Sequence, residues 1–264
     1  MKISIITVCY NARATIERTL KSVTGQTYAD KEFVVIDGGS TDGTLDILKK
    51  YEDKIDVLAS EPDKGIYDAM NKGVAKASGD YVIFINADDY FYDDNVLTEV
   101  AKCPPADFIF GDQYDEEDGN RQLAENLNAL DVYHMFRGYF SHQSILAKRE
   151  LFQKYGNFDL SYKICADWDW ILRCLINGAS TARIDSPIAV FTIGGASGVA
   201  GKKGLLSAER KRLLARNLGS LPLENALIKI EKFFRNPIRK LGLDKKIDSM
   251  IETRLLKKYP PHSI

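Results

Sequence analysis

The chain has 264 residues, 45% of them hydrophobic and 28% charged, with a formal net charge of -1. These proportions are typical of a folded globular protein and exclude disordered and fibrous classes. A net charge near zero also argues against bulk electrostatic binding to nucleic acid. The charge is unevenly distributed, because residues 202–258 hold 16 Lys and Arg against 6 Asp and Glu. We therefore expect an acidic body followed by a basic segment that could contact an anionic membrane.

Four cysteines are widely spaced along the chain: Cys9, Cys103, Cys165 and Cys174. No pair of them has the spacing of zinc ligands, and the first residues lack the pattern of a signal peptide. No apolar run reaches the ~18 residues that a membrane-spanning helix requires. We expect a protein of the reducing cytoplasm, which could still lie peripherally on the inner face of the cytoplasmic membrane.

The N-terminal part alternates short apolar runs with amphipathic stretches. The runs typical of buried strands are 3–8, 33–36, 57–59 and 81–85. The stretches with the apolar spacing of helices are 14–23, 44–51 and 66–77. This order predicts an α/β protein with a Rossmann-like, mostly parallel central sheet flanked by helices. Ligands of such sheets bind beyond the carboxyl ends of the strands.

The pattern changes after residue 105. The further predicted strands are 108–110, 179–184 and 188–193. The further predicted helices are 149–155 and 167–176, and an acidic turn is expected at 112–120. We expect residues 1–200 to form one domain and residues 201–264 to form a basic helical C-terminal extension.

Three polar segments follow predicted strands and should share one rim of the sheet. They are residues 7–11, 37–44 and 86–89. A rim with carboxylates, an aromatic ring and glycines suits a nucleotide with a metal-bound diphosphate. Neither G-x-G-x-x-G nor G-x-x-x-x-G-K-[ST] occurs, so this is not one of those two phosphate-binding motifs.

Asp37 ends an apolar strand and precedes two glycines that let the backbone approach a ligand. Its carboxylate could accept hydrogen bonds from a base N–H or from ribose hydroxyls. The alternative is ordinary turn chemistry, in which Thr41 or Asp42 caps the next helix. We favour capping for Asp42 and ligand binding for Asp37.

Asp88 and Asp89 follow the apolar run at 81–85. Two adjacent acids repel each other unless they share a cation, and carboxylates are suitable ligands for Mg²⁺ or Mn²⁺. The alternative is an N-cap for a helix at 93–101, a role that Asp93 or Asp94 would fill better. We predict a metal-binding role for Asp88 rather than for Asp89.

Residues 61–73 mix acids, Lys and Asn where a short strand joins a helix. Lys64 could neutralise phosphate near the helix N-terminus. Asn71 could support the Asp88 loop by hydrogen bonding. The alternative for Asp68 and Lys72 is a solvated helix face.

Asp167 lies at the start of a predicted apolar helix, next to Trp168 and followed by Asp169. The helix dipole would keep Asp167 ionised, as a general base requires, and Trp168 or Trp170 could exclude water. The alternative is local, because Asp is a favoured N-cap.

Three segments, 5–11, 35–44 and 84–89, together resemble family 2 glycosyltransferases of the GT-A fold. The resemblance extends over about residues 1–200. Residues 60–73 are most similar to bacterial transferases that build capsule, exopolysaccharide or lipopolysaccharide. The resemblance implies a nucleotide-sugar-binding half at 1–105 and an acceptor-binding half at 106–200.

The resemblance also implies inverting transfer of a sugar from a nucleoside diphosphate donor, with uridine favoured as the nucleoside. The donor-binding residues that it indicates are Thr7, Val8, Tyr10, Asn11, Asp37, Lys64, Asn71, Asn86, Ala87 and Asp88. Asn86-Ala87-Asp88 occupies the Asp-x-Asp position of the family, so Asp88 is the implied ligand of Mg²⁺ or Mn²⁺. Asn86 replaces the first acid.

Asp167 matches the aspartate of the family's Glu-Asp motif and is the implied catalytic base, although Ala166 stands in place of the glutamate. Asp169 is the second choice. His142 is expected either on the acceptor side, with Trp168 and Asp169, or in a purely structural role. Residues 194–198 resemble a loop that can close over the donor, or they are a flexible exit from the domain.

Two competing functions remain at this point. A sugar-1-phosphate nucleotidyltransferase should carry a Gly- and Arg/Lys-rich phosphate loop near its N-terminus, which is absent. A non-catalytic nucleotide-sugar-binding or scaffold protein would have no reason to retain Asp37, Asp88 and Asp167 together. The expected acceptor is a glycan or lipid-linked glycan. Residues 233–241 interleave apolar and basic side chains, which suits either anionic lipid or packing on the domain.

Overall fold

The computed structural model describes residues 1–124, 129–137, 141–194, 203–219 and 243–263. Its first four strands pair in parallel in the order β3-β2-β1-β4. They are β1 (Ile3–Cys9), β2 (Lys31–Asp37), β3 (Val57–Ser60) and β4 (Tyr81–Phe84). The helices that connect them are α1 (Ile16–Thr24), α2 (Thr44–Lys49) and α3 (Ile66–Lys76). These elements confirm the strands and helices predicted for this part of the chain.

Successive residues of the central strands enter two separate cores, one on each face of the sheet. Ile5 and Val35 belong to one core, whereas Ile6 and Ile36 belong to the other. All four side chains are 0% exposed. A parallel strand covered by helices on both faces needs such a continuous apolar run, which explains why the runs were recognisable in the sequence.

The second part of the chain extends the same sheet to the order β10-β9-β6-β8-β4-β1-β2-β3. The strands are β5 (Tyr90–Phe91), β6 (Phe108–Glu117), β7 (Asn120–Leu123), β8 (Ile145–Lys148), β9 (Ser180–Thr192) and β10 (His262–Ser263). The helices are α4 (Val96–Val100), α5 (Val132–Arg137), α6 (Glu150–Tyr155), α7 (Ala166–Ile176), α8 (Lys203–Leu218) and α9 (Leu243–Lys258). Strand β8 is antiparallel to both of its neighbours, which makes the sheet mixed but mostly parallel.

Two predictions for this part were wrong. The expected acidic turn at 112–120 is mostly strand, because β6 continues to Glu117 and pairs with β7. The turn itself is confined to Asp118 and Gly119, both with positive φ. The two strands expected at 179–184 and 188–193 are one strand, β9, whose register against β6 shifts near Asp112. A β-bulge shifts the pairing register at one point, and the strand continues beyond it.

The described parts of the extension pack on the body. Leu213 of α8 and Ile251 and Leu255 of α9 are at most 1% exposed. They belong to the core that contains Ile6 and Ile36. Strand β10 joins the edge of the sheet beside β9. No described helix is long and apolar enough to cross a membrane.

Candidate active site

The loops after β1, β2 and β4 meet at one rim of the sheet, as predicted. The register pairs Cys9 at the end of β1 with Asp37 at the end of β2, and Asp37 with Ser60 at the end of β3. The amide of Ile85, just beyond β4, still bonds to Ile6 of β1. The polar segments that follow these strands are therefore held side by side.

Asp37 is 0% exposed, and its own chain occupies its carboxylate. Oδ2 accepts hydrogen bonds from the Gly39 amide (3.0 Å), the Ser40 amide (2.9 Å) and Ser60 Oγ (2.7 Å). Oδ1 accepts from Ser40 Oγ. Burial alone would raise the pKa of Asp37, but the bonds from Ser40 and Ser60 outweigh it and the pKa is lowered. These bonds hold the glycine turn in place, and a contact of Asp37 with a base or ribose stays a prediction.

Two neighbouring residues that were predicted to contact the donor, Thr7 and Asn11, also make hydrogen bonds within the chain. Thr7 Oγ1 donates to the carbonyl of Ile85 (2.7 Å), which ties β1 to the loop after β4. Asn11 adopts a positive φ of 49°, and its Oδ1 accepts from the Thr41 amide (2.9 Å). Val8 is 6% exposed and belongs to the core. Thr7, Val8 and Asn11 therefore shape the rim, and their predicted contact with a donor stays a prediction.

The Tyr10 side chain, by contrast, is 65% exposed at this rim of the sheet. A Cβ added to Gly38 would come within 3.3 Å of the Tyr10 ring and would overlap the Asp63 carboxylate. Gly38 is therefore needed for a close approach of Tyr10 and Asp63 rather than for a positive φ. Asp63 enters the rim from the loop before α3, a role that its sequence neighbourhood did not indicate.

Asp42 bonds to the first residue of α2 but is not its N-cap, which is Gly43 and has no side-chain cap bond, so the capping role that we favoured is wrong. Its Oδ1 accepts from the Thr44 amide (2.9 Å) at the start of α2, and its Oδ2 accepts from the Arg13 amide (3.0 Å). The residue thus joins the first and second rim loops. It belongs to the scaffold of the site.

The adjacent acids Asp88 and Asp89 have different environments. Asp89 is 1% exposed, accepts hydrogen bonds from Gln143 Nε2 (3.0 Å) and the Thr192 amide (3.2 Å), and is a structural residue. Its burial and the neighbouring Asp88 charge raise its pKa to about 7. Asp88 is half-buried, and no described side chain bonds to its carboxylate. Burial also raises the pKa of Asp88, although a hydrogen bond from its own amide and the positive charge of Arg18 oppose the shift.

Arg18 holds the Asp88 loop from the outside, a role that the sequence did not reveal. Its Nη2 donates to the carbonyl of Asp88 (3.0 Å), and its Nη1 pairs with Glu116 (2.6 Å). Thr192 Oγ1 donates to the same carbonyl (2.6 Å). The backbone of Asp88 is thus fixed while its carboxylate is left for another partner.

An uncompensated, half-buried carboxylate fits a divalent cation. Within the described ranges no group of three or more His, Cys, Asp or Glu side chains could hold a metal ion. Asp88 would therefore supply few of the ligands, and the oxygens of a bound diphosphate would supply others. The residues present fit a cation that enters together with a nucleotide, rather than a permanent structural metal.

Lys64, in the loop before α3, and Asn71, within α3, have different environments. Lys64 is exposed, and its amide donates to Asp68 Oδ2 (3.0 Å) at the start of the helix. Asn71 donates to the carbonyl of Phe158 and accepts from the amide of Phe158, both at 3.0 Å. Both ends of the Asn71 amide bond to the backbone of Phe158, and its contact with the donor or the Asp88 loop stays a prediction.

Asp167 lies in the first turn of α7, is 5% exposed, and is the centre of a hydrogen-bonded cluster. Tyr67 of α3 donates to Oδ1 (2.8 Å), and His142 Nδ1 lies 2.9 Å from Oδ2. His142 Nε2 in turn lies 3.2 Å from Nδ2 of Asn86. Ala87, the next residue, is 8% exposed. The candidate base is therefore joined through His142 to the loop that carries Asp88.

The other predicted acceptor-side residues behave differently from Asp167. Asp169 is 0% exposed, and its carboxylate bonds to Arg173 Nε and Asn217 Nδ2, each at 2.9 Å. These bonds give Asp169 a structural role in the described residues, and its place as the second-choice base stays a prediction. Trp168 is partly buried, with the guanidinium of Arg210 5.3 Å from its ring centroid. Only Gly194 of the predicted closing loop 194–198 lies within the described residues.

Solved structures with a similar fold define the class of protein. A TM-score of 0.69 relates the chain to Staphylococcus aureus TarS 1-349 in complex with UDP-GlcNAc, with 20% identity over 98% of this chain and 82% of that one. A TM-score of 0.58 relates it to the mannosyltransferase PcManGT of Pyrobaculum calidifontis, with 18% identity over 97% and 87%. The fold is that of GT-A enzymes, as expected.

Sequence comparison then assigns the family. The family model described as "Glycosyl transferase family 2" matches residues 4–165, and the chain belongs to this family. A "PGL/p-HBAD biosynthesis glycosyltransferase" of Mycobacterium tuberculosis (strain H37Ra) is 36% identical over 188 residues, which are 68% of this chain and 72% of that protein. The "Putative teichuronic acid biosynthesis glycosyltransferase TuaG" of Bacillus subtilis is 41% identical over 97 residues, 36% and 38% of the two chains. The predicted family and enzyme class, a glycosyltransferase, are confirmed.

Proposed function

We propose that this glycosyltransferase moves a sugar, with inversion, from a nucleoside diphosphate donor to a hydroxyl of a glycan or lipid-linked glycan. A UDP-sugar is the favoured donor. The observation that carries the proposal is the series of close polar contacts that runs from the Asp88 loop to Asp167 through Asn86 and His142. A transferase of this kind needs a diphosphate site and a base within one cavity, and this connection brings the two candidate groups together.

The relatives support the class of substrates. One relative is named for PGL/p-HBAD biosynthesis and another for teichuronic acid biosynthesis. TarS has been solved with UDP and with UDP-GlcNAc, and PcManGT with GDP-Man and Mn²⁺. We infer from these names a role in the synthesis of a bacterial surface polysaccharide, such as a capsule or lipopolysaccharide.

The roles of the residues follow from their environments. Tyr10 and Asp63 flank Gly38 and would receive the nucleoside, with the Tyr10 ring available for stacking. Asp88 would hold Mg²⁺ or Mn²⁺, which offsets the charge that develops on the departing diphosphate. Lys64 is exposed near the start of α3, where it could add positive charge.

Asp167 would take the proton from the acceptor hydroxyl as the hydroxyl oxygen attacks the anomeric carbon. The bond to the diphosphate breaks as the new glycosidic bond forms, and attack from the opposite face inverts the anomeric centre. Tyr67 and His142 hold the Asp167 carboxylate while this happens. Trp168, next in the chain, would border the acceptor.

A screen of nucleotide sugars by thermal shift, with and without Mn²⁺, tests the donor. A ligand that binds only the folded state raises the melting temperature by mass action. We expect stabilisation by UDP-sugars that depends on the metal. Stabilisation by nucleoside triphosphates together with a sugar phosphate would instead favour a nucleotidyltransferase.

The Asp167→Asn variant tests the chemistry. It should lose turnover by about 10²- to 10⁴-fold, the usual contribution of a general base, while donor binding persists. Full turnover in this variant would refute the assignment of the base. Donor binding without any turnover in the parent protein would favour a non-catalytic, nucleotide-sugar-binding scaffold.

We also propose that the basic segment contacts an anionic membrane peripherally from the cytoplasmic side. Residues 233–241, which carry the argument, lie outside the described residues, so the proposal rests on their sequence. Co-sedimentation with phosphatidylglycerol vesicles, using the full chain and a variant with Arg235, Arg239 and Lys240 changed to Glu, tests it. Equal sedimentation of the two proteins would refute the contact. Full-length protein is needed because α8 packs on the core.

A further inference from the structure

We propose that His142 is a positioning residue that orients Asp167 through one defined imidazole tautomer, which Asn86 imposes. The inference rests on the proposed role of Asp167 as the base. It gives His142 a function in place of the open choice between an acceptor contact and a structural residue. It also explains what an amide, rather than a carboxylate, does at position 86.

The first observation is that the Tyr67 hydroxyl is shared between Asp167 and a second acceptor, whereas His142 Nδ1 faces Asp167. The Tyr67 hydroxyl lies 2.8 Å from Asp167 Oδ1 but also 2.5 Å from the carbonyl of Ile164. A hydroxyl has one proton, so these two acceptors divide it. His142 Nδ1 lies 2.9 Å from Oδ2 and must carry a proton to bond to a carboxylate. The imidazole is therefore the dedicated donor to the base.

The second observation concerns the other ring nitrogen. Nδ2 of Asn86 lies 3.2 Å from His142 Nε2, and this orientation of the amide requires the lone pair on Nε2. It leaves Asn86 Oδ1 buried with no partner among the described residues, and the reverse orientation would instead require a proton on Nε2. In the first orientation, which the NMR test below distinguishes from the second, the ring is neutral and protonated at Nδ1. A carboxylate at position 86 would accept instead of donating, and it would require a proton on Nε2 as well. The ring would then be an imidazolium, and the single tautomer would be lost.

The third observation is that the backbone around His142 is itself anchored. His142 begins a single 3₁₀ turn that leads into β8. The next residue, Gln143, is 4% exposed and donates to the buried carboxylate of Asp89 (3.0 Å). The Asp88–Asp89 loop therefore holds the 142–143 segment at two adjacent points, one through Asn86 and one through Asp89. A side chain supported in this way can hold a base in a fixed geometry.

The chain offers a matched control. His134 Nδ1 lies 2.9 Å from Asp131 Oδ1, a His–Asp contact of the same length, at the start of α5. The two histidines are also similarly buried, with side-chain exposures of 17% and 19%. A change at His134 therefore removes an equivalent His–Asp pair without touching Asp167.

The direct test is ¹⁵N NMR of the imidazole groups in the full chain, which has only 3 histidines. His142→Gln identifies the His142 signals by their loss. We expect the Nδ1-protonated neutral form in the parent protein and loss of that preference in Asn86→Asp. An Nε2-protonated ring or an imidazolium in the parent protein would overturn the proposal, whatever the substrate proves to be.

The kinetic test uses UDP release from UDP-GlcNAc or UDP-glucose, with water as the acceptor when no other is supplied. Asn places its amide nitrogen near the position of Nδ1, whereas Gln places its amide near Nε2. We expect His142→Gln to lower kcat by about 10- to 100-fold, the cost of a misplaced catalytic group. His142→Asn should recover part of that loss, and His134→Gln should match the parent protein.

The outcomes separate this proposal from the proposed function. Turnover retained in Asp167→Asn would refute the base itself. Loss in Asp167→Asn together with parent-like kcat in His142→Gln would refute only the positioning role. Binding of UDP with Mn²⁺, measured by calorimetry, should be unchanged in both His142 variants. A parallel loss of UDP binding or of the unfolding transition would show a general structural role and overturn the proposal.

Discussion

Removing the negative charge of Glu209 should loosen the start of α7 and with it the candidate base. Glu209 of α8 is 6% exposed and accepts hydrogen bonds from three successive amides. The donors are the amides of Lys163 (2.7 Å), Ile164 (2.9 Å) and Cys165 (3.1 Å). Cys165 is the N-cap of α7 and makes no side-chain cap bond, and Glu209 binds its amide together with those of the two residues that lead into the helix.

The expected cost follows from these bonds. Hydrogen bonds to a charged group are worth about 1.5–3 kcal/mol each, and Glu209→Gln keeps one oxygen acceptor while losing the charge. We expect a loss of about 2–4 kcal/mol in the free energy of unfolding, because a buried carboxylate with three donors cannot be replaced by an amide without leaving a donor unpaired. For a chain of this size that corresponds to a fall of roughly 4–15 °C in melting temperature.

Urea unfolding followed by circular dichroism measures the loss, and UDP release measures its effect on turnover. Glu150→Gln is a suitable control, because the Glu150 side chain is 69% exposed at the start of α6. Exposed substitutions of this kind usually change stability by less than about 0.5 kcal/mol. If Glu209→Gln resembled Glu150→Gln in both stability and turnover, α8 would not brace the base helix and the reasoning would be wrong.

Three further predictions concern the rim and the sheet. Asp88→Asn should leave the fold intact and remove the increase in UDP affinity that Mn²⁺ produces, as titration calorimetry with and without the metal would show; an unchanged increase would exclude Asp88 as a ligand. Tyr10→Ala should weaken UDP binding by about 1–3 kcal/mol if the ring stacks on the base, whereas unaltered affinity would contradict stacking. Burial would raise the pKa of Glu32, but hydrogen bonds from Ser4, Ser78 and Lys2 outweigh it and lower the pKa to about 2. Glu32 should therefore add about 2–3 kcal/mol of stability that is present above about pH 5 and lost as the pH falls toward 2. Urea midpoints across this range should fall less steeply in Glu32→Gln, and parallel profiles would contradict the assignment.

The sequence predicted the N-terminal sheet well because its signals are local. A strand such as β2 is buried on both faces, so its apolar run is continuous and stands out from its surroundings. The sequence predicted only the first residues of β6, because its second half, from Asp112, is half-exposed and acidic. Its pairing with β7 and β9 keeps it extended, and the local composition carries no sign of that pairing.

The site was predictable in position but not in detail. Polar residues after parallel strands must gather at one rim, which located Asp37 and Asp88 correctly. Whether such a residue meets a ligand or its own chain depends on distant partners. Ser60 is 23 residues from Asp37, and Tyr67 is 100 residues from Asp167. Sequence spacing alone could not show that hydrogen bonds from within the chain occupy the Asp37 carboxylate, whereas no described side chain bonds to the Asp88 carboxylate.

The contacts of Asp167 also bear on its strongest local alternative, that of a helix cap. A capping Asp stands before its helix and accepts from amides of the first turn. Asp167 instead lies inside α7, with Cys165 at the N-cap, and its carboxylate bonds to Tyr67 and His142. Glu209 of the C-terminal extension accepts from the amides of Cys165 and the two residues before it, and so holds the segment that enters α7. Because the Asp167 carboxylate makes its contacts with Tyr67 of α3 and with His142 rather than with first-turn amides, its geometry favours the catalytic role over capping.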